Sequence, residues 1–328
     1  MPPRGRGPSI RDVAAHAGVS HQTVSRVLNK PEKVRDATRE RVQASIELLG
    51  FRRNMAARSL ATSASMHIGV VTVQSGLFGP TQMSLAIAEE SRRRGYWMVG
   101  MTAETDSDEE LREASDHLMA LGVDGVIVYA WSARALELAG RFAERVPTCI
   151  IAEGEVPDGM ARARADNLGG SKMAVQHLVE TGRKRIAHLA GPSNWLESAA
   201  REQGWRAAGG QSVCVEAGWH ADDGYRAVDV LLHEDPETDA IFAANDHVAA
   251  GAMHRLMERG IRVPEDIAIV GFDDVDLAPH LPVPLASVRQ PFTDVGRASV
   301  NLLFDVMQGR SPGDFQLSTE FVQRASAG

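Results

Sequence analysis

Cysteine is nearly absent: two residues in 328, Cys149 and Cys214, each inside an apolar run. Disulfide frameworks and thiolate metal centres need more thiols at closer spacing, so both read as buried free thiols. No stretch approaches the 18 uninterrupted apolar residues of a membrane-spanning helix. The opening MPPRGRGPSI lacks the apolar core of a secretion signal. A cytoplasmic protein with a basic, disordered tail over residues 1–8 and no membrane partner is therefore expected. Catalytic signatures are missing too. No glycine-rich phosphate loop follows a strand, and neither a G-x-S-x-G elbow nor an H-E-x-x-H pair occurs. The histidines at 177, 188, 220, 233, 247, 254 and 280 are scattered without metal spacing and read as surface or satisfied core groups. No enzyme activity, cofactor or metal is expected.

What the chain does have is an uneven charge. Its net charge is −8, yet residues 1–65 hold 12 Lys/Arg and 5 Asp/Glu, a net of +7, and the remainder holds 23 and 38, a net of −15. A basic head on an acidic body implies that the head alone meets a polyanion. The length allows two or three domains with a sizeable core.

In the head, over residues 9–50, Ser9 and Asp12 form a capping-box pattern, and Ile10, Val13, Ala14 and Ala17 recur at helical spacing. Gly18 should end that helix and Ser20 should cap the next, leaving only AGVS for the turn. Two short helices across so tight a turn make a helix-turn-helix pattern. A third helix is expected from about Asp36 to Leu49, with Val42, Ile46 and Leu49 inward and Gly50 as its stop. On the second helix, His21, Gln22, Ser25, Arg26 and Asn29 share one polar face, while Val24, Val27 and Leu28 turn toward the neighbouring helices. Gln can pair with adenine and Arg with guanine in the major groove. A solvated surface face is the plain alternative; the tight turn and the +7 charge favour DNA. Residues 51–65, FRRNMAARSLATSAS, are basic, then small and polar, as in a linker. Asn54, Ala57 and Leu60 nonetheless recur at helical spacing, so a short helix held only by a partner is the second reading.

The body, residues 66–328, alternates apolar runs (HIGVVTV, YWMVGMT, DGVIVYA, PTCIIAE, RIAHLAG, SVCVEAG, AIFAAND, IAIVGFDD) with amphipathic stretches such as Gln82–Arg94, Asp108–Leu121, Leu168–Thr181 and His247–Arg259. That alternation predicts doubly wound parallel sheets, four strands to each of two lobes, with a cleft lined by strand ends. Aromatics make up only 5% of the chain, yet they gather with polar groups at those ends: Gln74 and Phe78, Tyr129 and Trp131, Asn194 and Trp195, Trp219, Asn245 and Asp246, Phe272 and Asp273, Gln290 and Phe292. Flat rings over C–H faces, with amides and carboxylates for hydroxyls, suit a sugar. FDDVD reads as one ligand-facing Asp with a structural neighbour rather than a metal site, and Trp205 reads as packing.

IRDVAAHAGVSHQTVSRVLN, followed by VRDATRERVQASIELLGFRRNMAARSLAT, closely resembles the lac repressor/galactose repressor family of bacterial transcription regulators, almost without gaps over some 50 residues. The likeness continues in LGVDGVIV, HLAGPSNW, REQGWRAA and VPEDIAIVGFDDVDLAPHLPVPLASVRQPF. It implies that His21, Gln22 and Arg26 read bases and that Ser20, Thr23, Ser25, Asn29 and Thr38 hold phosphates. It implies that residues 51–65 fold as a hinge helix on DNA, with Leu60 wedged into the minor groove. It also implies a body like a periplasmic sugar-binding protein, with one lobe of about 66–164 plus 293–320 and another of about 165–290 plus the C-terminus. Arg201 would anchor a sugar hydroxyl and Trp219 would stack on the ring. Asn245, Asp273 and Gln290 would hydrogen-bond, and Phe292 would close the apolar side, with Gln74, Phe78, Tyr129, Trp131 and Trp195 around them.

Three departures stand out. Ala152, with Glu153 beside it, occupies a position where a lactose-type member has Asp. Tyr129 replaces an amide. The segment between Trp205 and Trp219 is short. The chain ends at STEFVQRASAG without a heptad extension, so a homodimer is expected, matching a pseudopalindromic double-stranded operator. The expected protein is a nucleoid-associated repressor of carbohydrate genes, released by a mono- or disaccharide. The alternatives are a sugar-binding receptor, or a regulator sensing a non-sugar such as a purine.

Overall fold

The computed structural model describes residues 8–51, 64–73, 76–103, 107–157, 159–210 and 212–328, and of Asn29 the backbone alone. The chain forms two units, Met1–Ser65 and Met66–Gly328. The first holds α1 (Ile10–Ala17), α2 (His21–Asn29) and α3 (Asp36–Leu49), with a single 3-10 turn, Pro31–Lys33, between the last two. Local caps set the boundaries. The Ser9 amide donates to Asp12 Oδ2 at 2.7 Å, and the Asp12 amide donates back to Ser9 Oγ at 3.4 Å. Gly18 ends α1 and Gly50 ends α3, at φ 63° and 61°, where a side chain would be strained. Val13, Ala14, Ala17, Val24, Val27 and Val42 form the small core. Ser45 is buried beneath α1, its hydroxyl 3.0 Å from His16 Nδ1.

The second unit runs β1 (His67–Val73), α4 (Phe78–Arg93), β2 (Trp97–Ala103), α5 (Asp108–Leu121), β3 (Gly125–Tyr129), α6 (Ala133–Ala143), β4 (Thr148–Ile151) and β5 (Ala161–Ala165). It continues through α7 (Asn167–Glu180), β6 (Ile186–Ala190), α8 (Leu196–Ala207), β7 (Cys214–Glu216), α9 (Ala221–Glu234), β8 (Ala240–Ala243) and α10 (Asp246–Glu258). Last come β9 (Ala268–Asp273), β10 (Ala286–Arg289), α11 (Phe292–Met307), β11 (Asp314–Leu317) and β12 (Glu320–Val322). The strands form two six-stranded sheets, ordered β11-β5-β4-β3-β1-β2 and β12-β10-β9-β8-β6-β7. Every pairing is parallel except β10 with β12. In lobe 1 the strand order reverses between β1 and β3, and in lobe 2 between β6 and β8. Crevices therefore open at the carboxyl ends of those strands.

Among the described residues, twelve strands replace the eight expected. The four missed, β5, β10, β11 and β12, are short and carry charge, so they lack an all-apolar signature. β5 reads ARARA, yet Arg162 is buried because Asp314 on β11 accepts from its Nε at 3.0 Å. The helix expected from Gln82 begins at Phe78 instead. Pro80 falls within its first turn, where a missing N–H removes no helical bond. Cys149 is buried and free; Cys214, on an edge strand, is also free but only half-buried. No helix among the described residues is long and apolar enough to cross a membrane.

Candidate ligand cleft and nucleic-acid interface

A cleft opens where the strand ends of the two lobes meet, the usual place for a small-molecule site in such folds. Five of its polar lining residues form one chain of hydrogen bonds and an ion pair. The Asn167 amide, in the first turn of α7, donates to Glu153 Oε1 at 2.8 Å. The carbonyl oxygen of the same side chain accepts from Arg201 Nε at 2.9 Å. Arg201 also donates to the Ala244 carbonyl and lies 3.7 Å from Asp273 Oδ1. Gln290 Nε2 closes the chain on Asp273 Oδ1 at 2.7 Å. The Arg201 guanidinium lies 4.2 Å from the Phe272 ring centre and 5.4 Å from that of Trp219. Asp273 holds φ 104°, a left-handed conformation costly for a side-chain residue, and it aims its carboxyl into the cleft. Burial pushes that carboxyl up, and Arg201 opposes the shift. Its neighbour Asp274 turns away to ion pairs with Arg289 and Arg324 at 2.7 and 2.6 Å.

Aromatic walls complete the site. Trp195 and Trp219 meet edge to face at 5.2 Å, and Tyr129 lies 6.5 Å from Trp195. Phe292 faces them from the start of α11. Asn245 lines the cleft but uses its amide structurally: Nδ2 donates to the Trp219 carbonyl at 3.0 Å and Oδ1 caps α10. Three of the lining residues keep buried polar atoms without a hydrogen-bond partner: Arg164 Nε, Glu197 Oε2 and Trp219 Nε1. Such atoms are costly unless something polar meets them.

Of the expected ligand residues, Tyr129, Trp195, Arg201, Trp219, Asn245, Asp273, Gln290 and Phe292 converge on this cleft. Trp131 does not. It is 2% exposed, packed in the lobe 1 core behind Tyr129 and Trp195, because the strand-end turn folds it inward. Phe78 is also outside the lining. As the first residue of α4 it packs against the lobe 2 core and meets Phe292 edge-on at 5.9 Å. Gln74 lies outside the described residues. Sequence reasoning missed Arg164, Asn167, Glu197, Leu77, Met83 and Val295 as lining groups. Trp205 is fully buried, its indole N–H donating to the Ile186 carbonyl at 3.0 Å, as the packing reading expected. Among the described residues no cluster of three or more His, Cys, Asp or Glu is placed to hold a metal.

In the head, His21, Gln22 and Arg26 are exposed on one side of α2, opposite the buried Val24 and Val27. Ser20 caps the helix, its Oγ accepting from the Thr23 amide at 3.1 Å and lying 2.9 Å from Thr23 Oγ1. Ser25 and Thr38 are half-buried at the helix flanks. The Asn29 side chain and Asn54, Ala57 and Leu60 lie outside the described residues.

A helix-turn-helix head with an exposed polar recognition face, carried by a two-lobed body with a ligand cleft, defines a ligand-responsive DNA-binding transcriptional regulator. Residues 9–54 match the bacterial regulatory proteins of the lacI family, and residues 175–327 match a periplasmic binding protein-like domain. The transcriptional regulator CelR of Thermobifida fusca is 34% identical, over 98% of this chain and 99% of its own. The lactose operon repressor of Escherichia coli K12 is 33% identical, over 96% and 89%. Among solved structures, a CelR–cellobiose complex superposes with a TM-score of 0.74 at 32% identity, covering 97% of this chain and 99% of that one. A lac repressor dimer bound to operator and the anti-inducer ONPF superposes at 0.90 and 31%, covering 98% and 99%. The chain belongs to the lacI family of bacterial regulatory proteins.

Proposed function

We propose that this protein represses carbohydrate-utilisation genes as a homodimer on a pseudopalindromic operator, and that a neutral sugar, best a β-linked disaccharide, releases it. It acts by binding, without catalysis. The observation that carries this reading is the bonded chain from Glu153 through Asn167, Arg201 and Asp273 to Gln290, flanked by Trp195, Trp219, Tyr129 and Phe292. Directional polar groups between ring faces are what hydroxyls and C–H faces of a sugar require. The aromatic side chains supply more than one stacking face. The relative solved with cellobiose supports the same class.

On the DNA side, His21, Gln22 and Arg26 read bases in the major groove. Ser20, Thr23, Ser25, Asn29 and Thr38 hold phosphates, and Asn54, Ala57 and Leu60 engage the minor groove through the hinge. Dimerisation is supported by an apolar groove on lobe 1 lined by Leu77, Pro80, Leu85 and Met98. Leu85 is 62% exposed, and Trp97, next to Met98 on β2, is 60% exposed. The test is calorimetry of the full chain with mono- and disaccharides and with purine bases. Heat from a β-linked disaccharide is expected. A purine that binds where every sugar fails would overturn the sugar reading and leave the regulator.

A further inference from the structure

Glu197 stands outside the bonded chain that joins Glu153 to Gln290. It sits at the second position of α8, just after Trp195, and is only 8% exposed although it lines the cleft. Its Oε2 is buried and unpartnered. The Tyr129 hydroxyl at the end of β3 faces it, Glu153 stands near it beyond β4, and Arg201 follows one turn along α8. The nearby cations are committed elsewhere: Arg201 to Asn167, Ala244 and Asp273, and Arg164 to Glu153 at 3.9 Å and Asp314 at 3.7 Å. Two carboxyl groups thus share the lobe 1 end of a secluded cleft.

We propose that Glu197 sets ligand specificity at this end of the cleft, meeting a ligand hydroxyl through its free oxygen as the neutral acid and taking up a proton as the ligand seats. This rests on the sugar reading above. Like charges in one water-poor site cannot both ionise cheaply, so one carboxyl retains its proton. Burial first, and then the negative charge of Glu153, push Glu197 up to about 7, against its own backbone amide, the Arg201 charge and a hydrogen bond from the Tyr129 hydroxyl, which lower it. Near neutral pH the group is therefore divided between acid and carboxylate. A neutral ligand expels water and disfavours the carboxylate further. The acid form can both donate to and accept from a hydroxyl, whereas the carboxylate only accepts.

The experiment is calorimetry of the full chain with cellobiose as probe, in phosphate and Tris buffers from pH 6 to 8.5. A difference in heat between the buffers is expected, reporting uptake of up to about one proton per cleft, with the dissociation constant rising toward about tenfold per pH unit above 7. Glu197→Gln keeps the shape and removes the titration, so both the uptake and the pH dependence should vanish. Glu197→Ala should raise the dissociation constant about tenfold or more at pH 6. Proton release, no exchange in the wild type, or uptake that persists in Glu197→Gln overturns the proposal while leaving a sugar regulator. Absence of heat from cellobiose and from every other sugar overturns both.

Discussion

Truncating Arg201 to Ala removes the centre of the polar chain. Arg201 is 5% exposed and donates to Asn167 Oδ1 at 2.9 Å, and its guanidinium lies 3.7 Å from Asp273. Two costs follow. A charge-assisted hydrogen bond to a ligand hydroxyl contributes about 1.5–3 kcal/mol, so the sugar dissociation constant should rise roughly 10- to 150-fold. The folded body also loses stability, because Asp273 is left charged and buried. Breaking a buried pair costs about 3–5 kcal/mol. Asp273 keeps the Gln290 amide at 2.7 Å, and the pair sits beyond hydrogen-bond distance, so the low end applies. Asp273→Asn in the Arg201→Ala background should restore much of that stability, since no buried charge is then stranded, but it should not restore sugar binding. Urea melts of the wild type, both single variants and the double variant separate the two costs, and calorimetry reads the affinity. DNA binding without sugar should stay near the wild-type level, so the variant should remain on its operator when sugar is added. A folded Arg201→Ala protein with unchanged sugar affinity would refute the reasoning.

Three further outcomes are expected. Arg26→Ala should cost about 1–3 kcal/mol in specific binding and relax preference at one base pair, measured by gel shift on single-base operator variants; equal loss on every sequence would make Arg26 a phosphate contact. His188 is fully buried, stacked on Phe242 with its Nδ1 2.9 Å from the Phe242 carbonyl oxygen, and burial lowers its pKa to about 4. The unfolded chain binds that proton below about 6.5, so stability should fall by up to about 3 kcal/mol as pH drops from 6.5 toward 4, and urea melts of His188→Gln should lack that limb. Gly191→Ala would bring a methyl within 2.5 Å of the Trp219 ring and force it aside; the sugar dissociation constant should rise several-fold, and unchanged tryptophan fluorescence with unchanged affinity would show the wall had not moved.

The head was legible residue by residue because its boundaries are local chemistry. Ser9 with Asp12, Gly18, Ser20 and Gly50 each satisfy or terminate a helix end within four residues of chain. In the body, runs such as DGVIVYA announced strands covered on both faces. β5 was hidden because ARARA looks exposed until Asp314, some 150 positions later, neutralises Arg162. The cleft was half legible. Trp195, Trp219, Asp273 and Gln290 stand at strand ends and signal themselves by scarcity or chemistry. Glu197 and Asn167 lie in first helical turns, where a polar residue ordinarily serves the helix end, and only tertiary packing turns them inward. Trp131 erred the other way: a tryptophan beside a strand end carries the same signal whether it faces ligand or core.

The proposed function requires that sugar and operator compete through one protein. The most direct test titrates the full chain onto a pseudopalindromic site selected from random DNA, at fixed salt, with rising cellobiose. The operator dissociation constant should rise as sugar saturates, and operator should weaken sugar binding by the same factor, as linkage requires. Sugar that binds the cleft while operator affinity stays constant would contradict the proposed function.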